Sequence, residues 1–445
     1  MIDQLLSLAS DAVSHARALG ADAAEAMAID GRSTEVEIRD GKIEKVERAE
    51  ATEIGLRVFS GKSSAILSGS VLTREAIQRL AETALAMARL APPDPFSGIA
   101  EPEYITALVP DLDMVSDTLP DAALLEEMAR EAESASLSVP GVSKPGGAGS
   151  SASDRSMGLV ISNGFAQGYR RTGIGLSVSA IAGDGTAMQR DYDYSSAVHF
   201  SDLRKAQEIG LEAGTRAVKR LNPRKVKSQA VPVIYDRRVA SGLVGHLLGA
   251  ISGAAIARGT SFLKDSLGQA IFGPQITIAD DPLRRRGHGS RPFDGEGLAC
   301  RPRNLIEAGV LTGWLLDLRS ARQLGLKPTG QAARGLGSPP SPSSSNVNMS
   351  PGKDSVTEFL RNIKQGLYVT ELIGSSINMV TGDYSRGASG FWIDNGELSY
   401  PVSEITIAGN LRDMFLNLTP ADDLEFRGSV NAPSCLVEGL TIAGL

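Results

Sequence analysis

The side chain with the clearest chemical potential is His246, the only group in residues 239–257 that titrates near neutral pH. A zinc peptidase helix of the H-E-x-x-H type needs two histidines on one face and a glutamate as general base. Here Leu247 follows His246, and no glutamate occurs between Glu212 and Glu296. This stretch therefore cannot hold a glutamate-assisted zinc site, and His246 is either a packed core residue or an isolated ligand.

Residues 239–257 must be positioned by a helix, because Leu243, Leu247 and Ile251 recur at every fourth position. Apolar or small residues surround this predicted helix, so we expect it to be buried on all sides. Three glycines recur at the same spacing: Gly245, Gly249 and Gly253. Each costs about 1 kcal/mol relative to alanine inside a helix. We therefore expect another backbone to approach closely along this glycine stripe.

A membrane span is the alternative for this helix, since G-x-x-x-G is a dimerisation pattern of membrane helices. Its glycines, serines and histidine make the segment only mildly apolar, and no second segment of this kind exists. We predict a core helix and no membrane association.

No other catalytic or metal site is predicted. The nucleophile elbow G-x-S-x-G does not occur around Ser389. A metal site from His246, His288 and Cys435 is conceivable, but these residues share no local spacing. His199 also has no marked partner.

One further segment is denser in polar groups than a turn requires: Asp383, Tyr384, Ser385 and Arg386. It is either a glycine-rich bend between strands or a place that receives a carboxylate or an extended peptide backbone. We treat it as a candidate peptide-binding or interface site.

The composition limits the possible partners. The 445 residues carry a net charge of −7, without the basic surplus that nucleic-acid binding usually needs. Cys300 and Cys435 give no disulfide framework, and the first residues lack the basic region of a signal peptide. The sequence predicts a cytoplasmic protein for which nucleic acid is an unlikely partner.

The first half reads as helices around antiparallel strands. Residues 3–19, 74–90, 121–135 and 202–221 have helical patterns, and an antiparallel meander turns at Asp40-Gly41. Residues 140–151 are rich in glycine and serine and are predicted to form a loop.

A second antiparallel sheet follows in residues 152–200. Its polar face is expected to be solvated, with a binding role as the alternative, and carries these charged residues: Arg170, Arg171, Arg190, Asp191 and Asp193.

The predicted fold class is α+β with two domains, each containing antiparallel or mixed sheets packed with helices. Residues 1–222 form the first domain and residues 229–445 the second, with a proline-started linker between them. The second domain contains the glycine-rich helix, a low-complexity segment at residues 337–352 and several late strands.

Several motifs carry a family resemblance. GHLLGAISGAAIARGTSFLKDSLGQAIF, PFDGEG, GVLTGWLLDLRSARQLGLKPTG and TGDYSRGASGFWIDNGELSYPVSEITIAGNL are similar to the TldD/PmbA family, and most similar to its PmbA (TldE) branch. The match spans the C-terminal domain, and DGKIEKVERAEATEIGLRVFSGKSSA resembles the family's first domain less specifically.

The resemblance implies a two-domain α+β subunit of a cytoplasmic heterodimer with a TldD-type protein, a metalloprotease that acts on unfolded peptides. In the TldD branch a helix with H-E-x-x-x-H and a later cysteine bind zinc. Alignment on the Arg-Gly-Thr-Ser of residues 258–261 places Val244, Gly245 and Gly249 at the His, Glu and His positions. The resemblance therefore implies zinc on the partner and none on this chain, and Cys435 is not assigned as a ligand.

Two alternatives remain open from the sequence. The chain could act alone or as a homodimer that binds peptides or modulates another protein without proteolysis. It could also be an independent hydrolase with an unrecognised site.

Overall fold

A computed structural model describes residues 1–444, apart from the side chain of Ser375, so Leu445, the last residue of the predicted second domain, lies outside it. The helices are α1 Ile2–Ala18, α2 Arg74–Leu90, α3 Ala122–Leu137, α4 Ala206–Lys219, α5 Arg237–Ala250, α6 Gly253–Ala257, α7 Leu318–Leu324, α8 Val356–Arg361 and α9 Leu411–Leu416. Among the described residues, no helix is both long and apolar enough to span a membrane.

The first six strands form one antiparallel sheet in the order β3-β2-β1-β4-β5-β6. These strands are β1 Ala23–Arg39, β2 Lys42–Ser60, β3 Ser63–Gly69, β4 Val142–Ile161, β5 Ala166–Ala182 and β6 Gln189–Ala197. The predicted Asp40-Gly41 turn joins β1 to β2, and both residues have positive φ, at 54° and 66°. Such a turn follows the right-handed twist of the paired strands.

Helices α1 to α4 pack against this sheet in two cores. Alanines dominate the interface of α1 and α2 with β1 and β2. The pair α3 and α4 covers β4 to β6, with Ile209 and Leu125 fully buried between them. The small side chains let helices and strands approach closely, as the low aromatic content suggests.

The prediction of a loop at residues 140–151 is wrong, because β4 begins at Val142. Its glycines and serines lie between β1 and β5, which pair with the strand on both edges. Ser150 donates a 2.6 Å hydrogen bond to the Leu125 carbonyl of α3. Backbone pairing and the close helix stabilise a strand that its own propensity disfavours.

The remaining strands surround α5. They are β7 Gln229–Tyr235, β8 Ile278–Asp280, β9 Arg303–Glu307, β10 Val310–Leu311, β11 Ala332–Ala333, β12 Ser341–Pro342, β13 Val347–Met349, β14 Gln365–Ile377, β15 Asp383–Asp394, β16 Glu397–Asn410, β17 Leu418–Pro420, β18 Val430–Asn431 and β19 Cys435–Ala443. The main sheet has the order β16-β15-β14-β7-β19-β17, and only its β14–β7 pairing is parallel. A smaller sheet has the order β10-β9-β8-β13-β18. The chain is therefore an α+β protein, as predicted.

Buried ion pairs join the first sheet to the second half of the chain. The expected solvation of Asp191 and Asp193 is wrong, because these side chains are 2% and 0% exposed. Asp191 pairs with Arg238 of α5 at 3.0 Å. Asp193 accepts from Arg216 of α4 and from Arg427, each at 3.0 Å. Sequence alone could not pair these residues, because each guanidinium comes from a distant part of the chain.

Candidate functional site

The candidate site is built on the turn from β7 into α5. Asp236 caps the helix, and its carboxylate accepts from the Arg238 backbone N–H at 2.8 Å. The Tyr368 hydroxyl on β14 donates to the other carboxylate oxygen at 2.6 Å. This arrangement fixes the first turn of α5 against the neighbouring strand.

The predicted helix is interrupted rather than continuous. α5 ends at Ala250, and α6 begins at Gly253. Between them, Ile251 accepts from the Leu315 backbone N–H at 3.0 Å, and Gly253 donates to the Leu315 carbonyl at 2.8 Å. These bonds to another segment replace the helical ones and redirect the chain.

The expectation that this helix is buried on all sides is also wrong. Leu243, Val244 and Leu247 are buried in the main core, whereas Gly245 and Gly249 are exposed. A methyl group added at Gly245 would meet no atom within 4 Å, and at Gly249 it would meet only the Met379 methyl, at 3.3 Å. Within the described part of the chain, no backbone therefore packs along this part of the stripe.

Gly253 alone of the three makes the close approach. A Cβ at this position would lie 2.6 Å from the Leu316 side chain and 2.7 Å from the Leu315 carbonyl oxygen. The sequence pattern could not separate this glycine from the other two, because all three share one helical spacing.

Four aromatic or basic side chains meet where α5 faces the main sheet. The rings of His246 and Tyr384 are in edge contact, with centroids 5.9 Å apart. Burial and the nearby Arg386 charge lower the pKa of His246 to about 4. Burial, with Tyr384 close by, raises the pKa of Tyr235 well above its usual range. His246 is thus a neutral, half-buried ring rather than a titrating base near neutral pH.

The candidate segment Asp383–Arg386 begins β15, in the middle of the main sheet. Asp383 pairs with Asn410 on β16, and Tyr384 pairs with Ile377 on β14. Both edges of the segment are therefore occupied, and its backbone cannot receive an extended peptide. The expectation that this backbone receives an extended peptide is therefore wrong. The alternative of a glycine-rich bend is also wrong, because the glycines that follow continue the strand.

The side chains of this segment divide between the two faces of the sheet. Asp383 is exposed and accepts from Thr381 Oγ1 at 2.6 Å. Ser385 is half-buried in the pairing with β14 and β16. Tyr384 and Arg386 belong to the face that meets α5, since Tyr384 contacts His246.

A free strand edge lies beside this cluster. β14 pairs with β7 only through residues 367–369, whereas its pairing with β15 continues to Ile377. Beyond Val369, the other edge of β14 has no strand partner among the described residues. Ile373 on this segment is 59% exposed, and Val380 just after it is 57% exposed. An exposed edge with apolar side chains is suited to contact with another chain.

The remaining sequence candidates do not join this cluster. The His288 ring lies 3.1 Å from the Ser196 hydroxyl, and His199 contacts Asp113. Cys435 is fully buried beside Met349, and burial raises the pKa of its thiol. Within residues 1–444, no three histidine, cysteine or acidic side chains are grouped so that they could hold a metal ion.

Sequence reasoning missed a cavity of about 560 Å³ between α4 and the first turn of α5. Its walls include Asp236, Tyr368 and Thr370, whose hydroxyl is buried without a hydrogen-bond partner. Its three arginines are already paired: Arg216 with Asp193, Arg238 with Asp191 and Arg237 with Glu425. The cavity therefore belongs mainly to the ion-paired contact between the two halves.

The sheet arrangement and the central helix define the class of the protein. Family models for PmbA/TldA metallopeptidase domain 1, central domain and C-terminal domain match residues 24–88, 116–221 and 228–444. The chain therefore belongs to the PmbA/TldD metallopeptidase family. The first two of these units share the single antiparallel sheet described above.

Relatives and solved structures indicate the branch. The metalloprotease PmbA of Escherichia coli O157:H7 is 39% identical over 431 residues, which are 95% of this chain and 92% of that protein. A PmbA homologue from Haemophilus influenzae is 35% identical over 99% of this chain and 96% of its own length. These similarities identify the PmbA (TldE) branch.

The fold agrees with two solved structures. A proposed modulator of DNA gyrase from Bacteroides thetaiotaomicron has a TM-score of 0.92 and 27% identity, with both chains covered completely. TldE from Thermococcus kodakarensis has a TM-score of 0.86 and 21% identity over 98% of this chain and 100% of its own, a likeness of fold.

Proposed function

We propose that this chain is the non-zinc-binding subunit of a heterodimeric TldD/PmbA-type metalloprotease that acts on unfolded peptides. The observation that carries the proposal is the exposed glycine face of α5. Gly245 and Gly249 stand where the family resemblance places the glutamate and the second histidine of the zinc motif. Glycine has no side chain that could bind a metal ion or accept a proton.

The surroundings of α5 support the same assignment. Val244, at the position of the first histidine, is fully buried in the apolar core. His246 is neutral, as a metal ligand must be, but its ring lies against Tyr384 without a second ligand of the motif. The residues present at the zinc-motif positions do not fit a zinc ion, so we assign zinc to the TldD-type partner.

The features that remain suit a binding role. The glycine face leaves open space on α5, and α5 contacts β14, one edge of which has no strand partner beyond Val369 among the described residues. An extended chain can add to such an edge through backbone hydrogen bonds that are independent of its sequence. This property fits unfolded peptides as substrates, with α5 forming part of the wall along which they bind.

The cytoplasm is the compartment that we propose for the complex. Cys300 and Cys435 are free and buried. Free thiols are the ordinary state in a reducing compartment.

The test is to mix the purified chain with a TldD-type protein from the same cell and to measure assembly by light scattering after size exclusion. Hydrolysis of a fluorogenic unfolded peptide is measured in parallel. We expect a mixed complex and activity only in the mixture. Separate species in the mixture, or hydrolysis by this chain alone, would contradict the proposal.

A matched pair of variants tests the role of α5. Gly245→Trp fills the open face, whereas Gly69→Trp places the same side chain at another glycine with free space around it, on β3. We expect the first variant to lower the activity of the mixture at least about tenfold, which corresponds to 1.4 kcal/mol, and the second to leave it unchanged. Equal activities of the two variants would show that α5 is not part of the site. A stand-alone or homodimeric binding protein would instead bind peptides without the partner and hydrolyse none in either condition.

A further inference from the structure

Among the described residues, Arg386 has no acidic ion-pair partner, unlike other partly buried arginines of the chain. It is half-buried on β15, and its Nε is buried without a hydrogen-bond acceptor. Two other partly buried arginines of the chain behave differently, since Arg238 pairs with Asp191 and Arg427 pairs with Asp193. Within residues 1–444, no carboxylate lies within ion-pair distance of the Arg386 guanidinium.

The groups close to Arg386 cannot neutralise it. Its charge lowers the pKa of His246, which is therefore uncharged, and it acts in the same direction on Tyr235 and Tyr384. Both tyrosine hydroxyls are buried without a hydrogen bond of normal geometry, although Tyr384 lies near enough to raise the pKa of Tyr235. The Arg386 guanidinium and the two buried hydroxyls thus share one polar region, in which the guanidinium can donate to an anion.

This polar region lies where an added chain would pass. Arg386 follows Ser385, which pairs with Ser376 on β14, and precedes Gly387, which pairs with Ile373. The β14 bulge between Ile373 and Ser376 is therefore opposite Arg386 and forms part of the free edge. A peptide paired with that edge would lie one strand beyond β14, so its carboxylate would meet the long Arg386 side chain across the face of β14.

We propose that Arg386 binds a carboxylate group of the peptide that lies along the free edge of β14. The planar guanidinium presents a fork of N–H donors that matches a carboxylate through two parallel hydrogen bonds. The carboxylate comes either from the free C-terminus of the peptide or from an acidic side chain, and both present the same two oxygens. This inference rests on the peptide-binding role proposed above.

The experiment compares two forms of one fluorescent hexapeptide, made of alanine, valine and threonine, with a free carboxylate or a carboxamide at the C-terminus. Affinity for the full-length chain is measured by fluorescence anisotropy. The wild type is compared with Arg386→Gln and Arg386→Lys. Arg361→Gln is the control, since Arg361 is an exposed arginine at the end of α8. A third peptide carries an amidated end and one internal glutamate.

We expect at least one of the two carboxylate-bearing peptides to bind about tenfold or more tightly than the uncharged amide, in the range of one charge-assisted pair. The preference should vanish in Arg386→Gln, persist in part in Arg386→Lys and remain complete in Arg361→Gln. Preference for the free acid identifies the chain terminus as the source, and preference for the glutamate peptide identifies a side chain. Equal binding of all three peptides by the wild type, or a preference that survives in Arg386→Gln, overturns the inference.

A stability measurement separates this role from a structural one. A guanidinium without an acidic partner does not hold the fold together, so Arg386→Gln should retain or raise the melting temperature of the free chain. A large fall would show that Arg386 is a structural residue and would also overturn the inference. A carboxylate preference in a chain that forms no complex with a TldD-type partner would preserve the role of Arg386 while refuting the proposed heterodimer.

Discussion

Two helices of this protein carry glycines at the same spacing and use them in opposite ways. On α4, a Cβ at Gly210 would lie 2.2 Å from the Ala132 carbonyl oxygen, and one at Gly214 would lie 2.7 Å from the Ser136 carbonyl oxygen. On α5, Gly245 has no atom within 4 Å of that point. Glycine spacing therefore indicates one face of a helix without indicating what covers that face.

The two helices differ in what lies against their glycines. The α4 glycines let α3 approach, and the two helices then cover the first sheet. The α5 glycines leave a surface uncovered beside a free strand edge and an unpaired arginine. Packing explains the first pair of glycines, whereas the second pair agrees with the binding role that we propose for α5.

The largest expected effect concerns the ion pairs that link α4 and α5 to the aspartates of β6. Asp193→Asn leaves Arg204, Arg216 and Arg427 without a shared counter-charge and should destabilise the protein by about 3–5 kcal/mol. Urea unfolding followed by circular dichroism measures this change. A loss below 1 kcal/mol would mean that α4 is held by its packing alone.

The same carboxylate predicts a pH dependence. Burial alone would raise the pKa of Asp193, but Arg216, Arg427 and Arg204 together hold it below its usual range. Its contribution to stability is therefore present above about pH 4 and is lost as the pH falls through the lower, folded-state pKa. Asp193→Asn should remove this acid-sensitive part of the unfolding curve, and an unchanged curve would refute the assignment.

The next effect breaks the packing of α4. Gly210→Ala forces a methyl group into the α3 backbone and should cost about 3 kcal/mol, the upper part of the usual range for overpacking. Thermal unfolding measures the loss. If Gly210→Ala unfolds like the wild type, then α3 can move away and the contrast between the two helices disappears.

A fourth prediction concerns Glu296, which accepts from the Leu318 backbone N–H at the start of α7, close to the segment that contacts Gly253. Burial, with Asp294 and Asp317 nearby, raises the pKa of Glu296 well above its usual range. The folded state therefore retains a proton that the unfolded chain loses, so stability should fall by up to about 1.4 kcal/mol per pH unit above about pH 4.3.

The matched variant for this prediction is Glu296→Gln, which cannot ionise and should be stabilised relative to the wild type increasingly as the pH rises. Unfolding free energies between pH 5 and pH 8 test this relation. A constant difference between the two proteins across that range would show that Glu296 is ionised in the folded state.

The smallest expected effect tests whether the space around Gly245 on α5 is open. Gly245→Ala places a methyl group in open space and should stabilise the protein by about 1 kcal/mol, the helix propensity difference. The same substitution at Gly214 should destabilise it. Destabilisation by both variants would mean that a contact covers Gly245 in solution.

Much of the fold could be predicted from local sequence signals. The Asp40-Gly41 turn and the helix of residues 74–90 follow from turn preference and from periodicity, and both were predicted correctly. β4 was missed at residues 142–151, because a glycine-rich strand is stabilised by its two neighbours and not by its own sequence. Propensity can report only what a segment does by itself.

The candidate site was partly predictable for the same reason. The segment at Asp383–Arg386 was singled out by its polar density, but its place in the middle of a sheet was not visible. The absence of a carboxylate near Arg386 depends on the position of every other chain segment. The partners of Asp191 and Asp193 likewise come from residues far along the chain.

The most direct test of the central claim is the distribution of zinc in an active complex of this chain with a TldD-type protein. The two subunits are separated from the complex under mild conditions, and the zinc and the residual peptidase activity of each are measured by elemental analysis and peptide hydrolysis. The account predicts that zinc stays with the partner and that this chain contains none, although activity requires both. Stoichiometric zinc and peptide hydrolysis in this chain alone would contradict it.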